Sequence, residues 1–249
     1  MNVDIYNKKK YMISIIVATF NAAKVLKTAL DSVLMQRFQD WECIIVDGAS
    51  KDDTLTIVKE YERLDNRFWH ISEPDKGIYD AFNKGWKSAR GEWIYYLGSD
   101  DKLTLDGLAV LYENSNGYDV VVGNVYGVHR GGKIRICKSS GLRACHQAII
   151  VKRSVIKTLG GFDLSYSILA DYDLMWKLSK HVFSVKNIDV PVAYFASDGI
   201  SQSLGSQWKI YKERTAILGK YKSSFSKLTS FKLFAQKSIK LIIFRLLNI

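Results

Sequence analysis

Residues 12–34, "MISIIVATFNAAKVLKTALDSVL", decide the fold. The stretch opens on a β-branched apolar run, broken only by Ser14. Without polar alternation, such a run reads as a strand covered on both faces. Thr19 and Asn21 end it. Val25, Leu26, Ala29, Leu30, Val33 and Leu34 then recur at helical spacing.

The same strand-then-helix unit repeats downstream. "WECIIV" at 41–46 is a second strand that stops at Asp47-Gly48. Ser50 and Asp53 suit a helix start, and Leu55, Ile57, Val58 and Tyr61 follow at helical spacing. Residues 68–72 read as a short third strand, and 77–89 as a helix with Ile78, Ala81, Phe82 and Trp86 on one side. Residues 92–97 form a fourth strand that runs into Gly98-Ser99-Asp100-Asp101. Alternating strands and helices with short connections predict an α/β fold with a parallel sheet and right-handed crossovers. Ligands bind such sheets beyond the carboxyl ends of the strands. Thr19, Asn21, Asp47, Glu73, Asp75, Asp100 and Asp101 all follow strand ends, so four segments bring polar groups to one edge.

The later half is less regular. Residues 118–125 and 133–137 read as strands with a hairpin-like excursion between them, and 146–151 is another apolar segment. Gly160-Gly161 marks a turn, a helix starts near Ala170, and 183–188 reads as a last strand.

A chain of 249 residues can bury a sizeable core. With 47% apolar and 24% charged residues the composition is globular, not disordered. The three cysteines (Cys43, Cys137, Cys145) are an odd number without a CxxC pair, which reads as reduced thiols in a reducing compartment. His70, His129, His146 and His181 lack zinc-ligand spacing. The N-terminal residues hold no signal-peptide core, and no apolar run reaches the roughly 18 residues of a membrane span. The net charge of +11 is lopsided: residues 205–249 hold ten Lys or Arg and one acid, Glu213.

Five ordered segments carry a resemblance: "SIIVATFN", "IIVDGASKDDT", "SEPDKGIYDAFNKG", "WIYYLGSDD" and "GGFDLSYSILADYDLMWKL". Together they resemble the family 2 glycosyltransferases of GT-A fold, and most nearly the colanic-acid-type members of bacterial surface-polysaccharide clusters. The likeness covers about residues 12–190. It implies a Rossmann-like, mostly parallel sheet flanked by helices, followed by a C-terminal helical tail. The expected organisation is a catalytic domain over 1–204 (nucleotide part about 12–101, acceptor part about 102–204) and a tail over 205–249.

The resemblance implies inverting transfer of one sugar from a nucleotide diphosphate sugar, with a lean to UDP, onto a saccharide hydroxyl. The leaving diphosphate gathers negative charge, which a divalent cation, Mn²⁺ or Mg²⁺, offsets. Carboxylate oxygens suit such ions, and Asp100 and Asp101 are the implied metal acids. Asp47 is expected at the base, Thr19 and Asn21 at the base and ribose, and Asp75, Lys76 and Gly77 along the ribose and phosphates, with Asp100 also reaching the nucleotide. Asp80, Asn83, His146 and Gln147 are expected near the donor sugar or acceptor. Asp171 is the implied general base. Two positions depart from the family pattern: Gly98 and Ala170 stand where an Asp and a Glu are common.

Plainer readings stand beside these. Asp100 or Asp101 could cap a helix from Thr104, Asp47 could form an Asp-Gly turn, and Asn21 could cap the first helix. Asp80 and Asp171 could be first-turn helix acids, and His146 a structural histidine.

In the tail, Phe231, Phe234, Ala235, Ile239, Ile242 and Leu246 can share one helical face, with Lys232, Lys237 and Lys240 off it. A basic amphipathic helix over 228–249 suits an anionic membrane surface. Packing on the domain or a partner subunit is the alternative. No nucleic-acid motif accompanies the charge. The family then implies a polyprenyl-linked or other saccharide acceptor at the inner face of the bacterial cytoplasmic membrane. No transmembrane helix or Gln-x-x-Arg-Trp motif of the processive members is present, so single-sugar addition is expected. A nucleotidyltransferase would carry a Gly- and Arg-rich loop after the first strand, and "TFNAAK" does not. Gly98 and Ala170 leave one competing expectation, a catalytically weakened sugar-nucleotide-binding or assembly subunit, and an oligomer is possible.

Overall fold

The computed structural model describes residues 11–129, 132–142, 144–196, 204–221, 231, 232, 234–236 and 238. The opening stretch forms β1 (Ile13–Thr19), buried at every position, then α1 (Leu26–Leu34). β2 (Trp41–Asp47), α2 (Thr54–Leu64), β3 (Phe68–Ser72), α3 (Ile78–Ser88) and β4 (Trp93–Gly98) follow. Then come β5 (Lys102–Leu103), α4 (Gly107–Glu113), β6 (Val120–Val128), β7 (Ile134–Cys137), β8 (Ile149–Lys152), α5 (Arg153–Leu159), α6 (Ala170–Lys180), β9 (Val185–Ala196) and α7 (Gln207–Lys220).

All nine strands join one sheet in the order β3-β2-β1-β4-β8-β6-β9-β5, with β7 beside β6. The sheet is mixed. β3, β2, β1 and β4 are mutually parallel, as is the β6–β9 pair, while β8 runs antiparallel between β4 and β6. Successive β1 residues face opposite layers. Ile13, Ile15 and Val17 pack with α1, α2 and α4 through Leu30, Val58 and Leu111. Ile16 and Ala18 pack with α3, α5 and α6 through Phe82, Ile156 and Leu174. Gly85 lets α3 approach closely, since a Cβ there would stand 2.3 Å from Ile16 Cγ2.

Register sets the functional edge. Thr19 pairs with Asp47, Asp47 with Ser72, and Ala18 with Gly98, so the ends of four parallel strands line up.

The structure moves several expected boundaries. The expected strand at 118–125 reaches Val128, because both β7 and β9 pair with its far half. The expected strand at 183–188 runs to Ala196, and Pro191 falls at a register irregularity, where a missing N–H is tolerated. No helix starts at Thr104. Its N–H donates to Val192 O at 2.9 Å because β5 pairs with β9 first, and α4 begins only at Gly107. Asp100 and Asp101 therefore cap no helix.

Most of the tail region 228–249 lies outside the described residues, including Ile239, Ile242, Leu246 and the lysines at 237 and 240. The rings of Phe231 and Phe234 meet Tyr211, and Phe234 also meets Trp208 of α7. Ile217 and Leu218 of α7 are buried. No helix among the described residues is long and apolar enough to cross a membrane.

Candidate active site

Asp47 ends β2 fully buried. Its Oδ1 accepts from Thr19 Oγ1 at 3.2 Å and from the Ser50 hydroxyl, and its Oδ2 accepts from Ser50 N at 3.0 Å and Ser72 Oγ at 2.8 Å. A plain turn residue would not gather donors from three strand ends. Asn21 does not cap α1, which starts five residues later. It sits at φ +49°, in the left-handed region that Asn tolerates. Its N–H donates to Ser50 Oγ at 2.8 Å, and its Oδ1 accepts from Lys51 N at 2.9 Å. These bonds tie the β1 exit to the β2 exit. Phe20, between Thr19 and Asn21, is 64% exposed at this edge.

The β3–α3 connection forms the next wall. Asp75 Oδ1 accepts from Gly77 N at 2.8 Å, and Asp80 Oδ2 accepts from the N–H of the exposed Lys76 at 3.0 Å. Gly77 stands at φ +109°, which requires glycine. Asp80 thus serves the start of α3, as a first-turn acid would. Asn83 faces inward from α3. It is buried, with Nδ2 on Phe162 O at 2.9 Å and Oδ1 accepting from Phe162 N and Trp86 Nε1 at 3.0 Å each. Its amide holds α3 to the segment after the Gly160-Gly161 turn, with Oδ1 filled and one N–H of Nδ2 engaged. That turn must be glycine, since Gly161 has φ +74° and a Cβ there would stand 2.4 Å from Asn83 Oδ1.

The two acids after β4 part company. Asp100 is exposed, whereas Asp101 is buried, its Oδ2 accepting from Gln147 Nε2 at 2.6 Å and its Oδ1 from Ala196 N at 2.9 Å. Burial, then the neighbouring Asp100 charge, pushes the Asp101 carboxyl up to about 6. Gly98 makes this fold-back possible. A Cβ there would stand 2.4 Å from Asp101 Oδ2 and 3.0 Å from Asp100 Oδ1.

No three His, Cys, Asp or Glu side chains among the described residues are grouped to hold a metal by themselves. A cation that is bound through one or two carboxylates and substrate phosphates needs no such group. The exposed Asp100 fits that donor set, while Asp101 already has partners for both oxygens.

Gln147 continues the polar line inward. Among the described residues its Oε1 has no hydrogen-bond partner, and neither has either nitrogen of the neighbouring His146. His146 Nδ1 stands 3.6 Å from Asp171 Oδ2, at ion-pair range but too far for a hydrogen bond. Asp171 is the second residue of α6. Its Oδ1 lies 3.0 Å from the Tyr79 hydroxyl and accepts from Tyr172 N at 2.8 Å, which leaves Oδ2 without a hydrogen bond among the described residues. Burial, then the Asp171 charge, holds the Tyr79 phenol well above its usual range, so it is a neutral donor. The Cys145 thiol is raised to about 12 by burial and then by Asp101 and Asp171, which removes it as a nucleophile.

Asp101, Gln147, His146, Asp171 and Tyr79 thus form one polar line, while Asp47 anchors a separate hydroxyl cluster with Thr19, Ser50 and Ser72. Sequence reading passed over Phe20, Ser50, Ser72 and Tyr79. Ser50 and Ser72 carried a signal, since both follow strand ends beside Asp47.

Residues 14–141 match Glycosyl transferase family 2. A PGL/p-HBAD biosynthesis glycosyltransferase of Mycobacterium bovis is 37% identical over 172 residues, which is 65% of this chain and 67% of that protein. A putative teichuronic acid biosynthesis glycosyltransferase of Bacillus subtilis is 37% identical over 100 residues, 40% of each chain. Among solved structures, S. aureus TarS 1-349 in complex with UDP-GlcNAc has a TM-score of 0.69 at 20% identity, covering 93% of this chain and 71% of that one. The mannosyltransferase PcManGT from Pyrobaculum calidifontis, in complex with GDP-Man and Mn²⁺, has a TM-score of 0.69 at 16% identity, covering 94% and 70%. Those two likenesses establish the GT-A fold.

Proposed function

Because the chain belongs to glycosyl transferase family 2 and is a glycosyltransferase, we propose that it moves one sugar, with inversion, from a UDP-sugar to a hydroxyl of a lipid-linked saccharide in bacterial surface-polysaccharide synthesis. The observation that carries this reading is Asp171, a half-buried carboxylate with one oxygen held by Tyr79 and the other left open. The UDP-GlcNAc in TarS and the GDP-Man with Mn²⁺ in PcManGT support a nucleotide-sugar donor.

The base lies against the exposed Phe20 ring over the Asp47 cluster. For Asp47 to accept a base N–H, the Ser50 or Ser72 hydroxyl must turn aside, because the carboxylate's four lone-pair sites are filled. Thr19 and Asn21 shape the ribose side. Asp75, beside Gly48, serves the ribose side, and Lys76 with the α3 N-terminus faces the diphosphate, where the helix start favours an anion. Asp100, with phosphate oxygens and water, would hold Mn²⁺ or Mg²⁺, which when bound neutralises charge on the leaving diphosphate.

Asp171 Oδ2 takes the acceptor hydroxyl's proton as that oxygen bonds to the anomeric carbon. The bond to the diphosphate breaks on the opposite face, and its electron pair leaves with the diphosphate. One displacement inverts the centre. The unpartnered nitrogens of His146 and Oε1 of Gln147 are buried polar atoms that sugar hydroxyls would satisfy.

Thermal unfolding against UDP, GDP, TDP and CMP, each with and without Mn²⁺, tests the donor reading. Ligand at about 100 times its dissociation constant adds about 2.7 kcal/mol. A UDP shift that needs Mn²⁺ and is lost in Asp100→Ala is expected. No shift with any nucleotide sinks the reading.

The membrane reading rests on α7 and on Phe231 and Lys232 beyond it. Trp208 is 52% exposed and Phe231 50%, with Lys209, Lys212 and Lys232 exposed beside them. Aromatic rings among lysines suit an anionic interface, each lysine there contributing about 1 kcal/mol. Sedimentation with vesicles should show binding to phosphatidylglycerol but not phosphatidylcholine. Lys212→Gln should weaken it about fivefold. Equal binding to both lipids, or to neither, removes the cytoplasmic-face assignment.

A further inference from the structure

Helix α6 carries the proposed base but lacks a cap of its own. Leu169 stands at its N-cap position and offers no side-chain acceptor. The first N–H groups of a helix have no intrahelical partner, and Leu is among the poorest caps. What α7 supplies is a clamp on the segment before the helix: Glu213, 44 to 46 residues away, takes the N–H groups of Ser167, Ile168 and Leu169. Glu213 Oε1 accepts from Ser167 N at 3.0 Å and Ser167 Oγ at 3.1 Å, and Oε2 accepts from Ile168 N at 3.0 Å and Leu169 N at 2.9 Å. Glu213 is 8% exposed and is the lone acid among ten bases in residues 205–249.

The held loop leads straight to the proposed base. Ile168, whose N–H is on Glu213, offers its carbonyl to the Tyr79 hydroxyl at 2.7 Å, and that hydroxyl also lies 3.0 Å from Asp171 Oδ1. A second clamp sits on the other side of Asp171. The fully buried Asp173 accepts from Lys220 Nζ and Tyr221 Oη at 3.0 Å each, with Lys177 Nζ at 3.3 Å. We infer that α7, through Glu213, is a positioning element that sets Asp171 against the acceptor hydroxyl. This rests on the reading of Asp171 as base. A misplacement of about 1 Å can slow a reaction about 100-fold, so a clamp remote from the chemistry can govern rate.

The test compares Glu213→Ala, Glu213→Gln and Asp171→Asn, with the Glu213→Gln/Asp171→Asn double variant, in the full chain. Donor KM, kcat and the UDP-induced thermal shift are read for each. The Gln variant keeps the size of the side chain and one acceptor oxygen, and guards against a Glu213→Ala chain that does not fold. Expected for Glu213→Ala is a loss of kcat of about 10- to 100-fold, with donor KM within about twofold and the UDP shift kept. Glu213→Gln should fall between Ala and wild type. The double variant should be no slower than Asp171→Asn, because the clamp acts through Asp171. If Asp171→Asn is inactive while both Glu213 variants keep wild-type kcat, the positioning inference is overturned and the base reading stands. A loss carried by donor KM, or a double variant slower by the product of the singles, also overturns it. An active Asp171→Asn overturns the base reading and the inference together.

Discussion

Asp171→Asn should lower kcat about 10²- to 10⁴-fold, the range for loss of a positioned general base, and leave UDP affinity within about twofold. The variant is close to isosteric. Tyr172 N–H donates to Oδ1, and the Tyr79 hydroxyl, whose one proton lies between Ile168 O and Oδ1, stands 3.0 Å from it, so the amide oxygen should take that place. The amide nitrogen then replaces Oδ2, which has no hydrogen bond to lose and faces His146 at 3.6 Å. Packing is preserved and the main loss is the carboxylate charge in the first turn of α6, so thermal stability should fall by no more than about 1 kcal/mol. Only the ability to accept a proton at that atom is removed. Initial rates of UDP release at saturating donor check this. A turnover within threefold of wild type would remove Asp171 as base and move attention to His146, the adjacent basic side chain.

The parallel half of the sheet was legible because β1, β2 and β4 are buried on both faces, which forces continuous apolar runs. The site edge followed from the same fact, since the runs give way to several polar residues only at their carboxyl ends, Ser14 and Glu42 being single interruptions. What sequence reading lost was non-local. Thr104 looked like a helix start until β9, almost 90 positions on, offered its carbonyl. Asp101 looked like a free acid until Gln147 and Ala196, 46 and 95 positions away, took its oxygens. Asn83 came only with the family resemblance, and its bonds to Phe162, 79 positions on, are non-local in the same way. Glu213 was visible as a lone acid in a basic segment, yet its target is a row of backbone N–H groups, which no side-chain pattern marks. Glu42 was hidden differently, as one polar letter inside "WECIIV".

Arg90→Met should destabilise the fold by about 3–5 kcal/mol, the range for stranding one member of a buried ion pair. Glu42 in β2 is fully buried. Its carboxylate accepts from Ser14 Oγ at 2.7 Å, Trp69 Nε1 at 2.9 Å, and Arg90 N and Nε at 2.7 Å each. Removing the guanidinium leaves a carboxylate in the interior with neutral donors only. The reverse change should be milder. In Glu42→Gln the Arg90 side chain, 30% exposed, can turn to water, so the loss is mainly the hydrogen bonds of the uncharged donors, about 1–3 kcal/mol. The Arg90→Met/Glu42→Gln double variant should therefore be more stable than Arg90→Met alone, since no buried charge remains. Urea unfolding with an unchanged m-value measures all three. A double variant less stable than Arg90→Met would show that the charge is not what the interior resists. The cluster joins β1, β2, β3 and the approach to β4 near their amino ends, opposite the edge that holds Asp47 and Asp100. Folded Arg90→Met should thus bind UDP as wild type does, separating what keeps the sheet together from what the sheet presents.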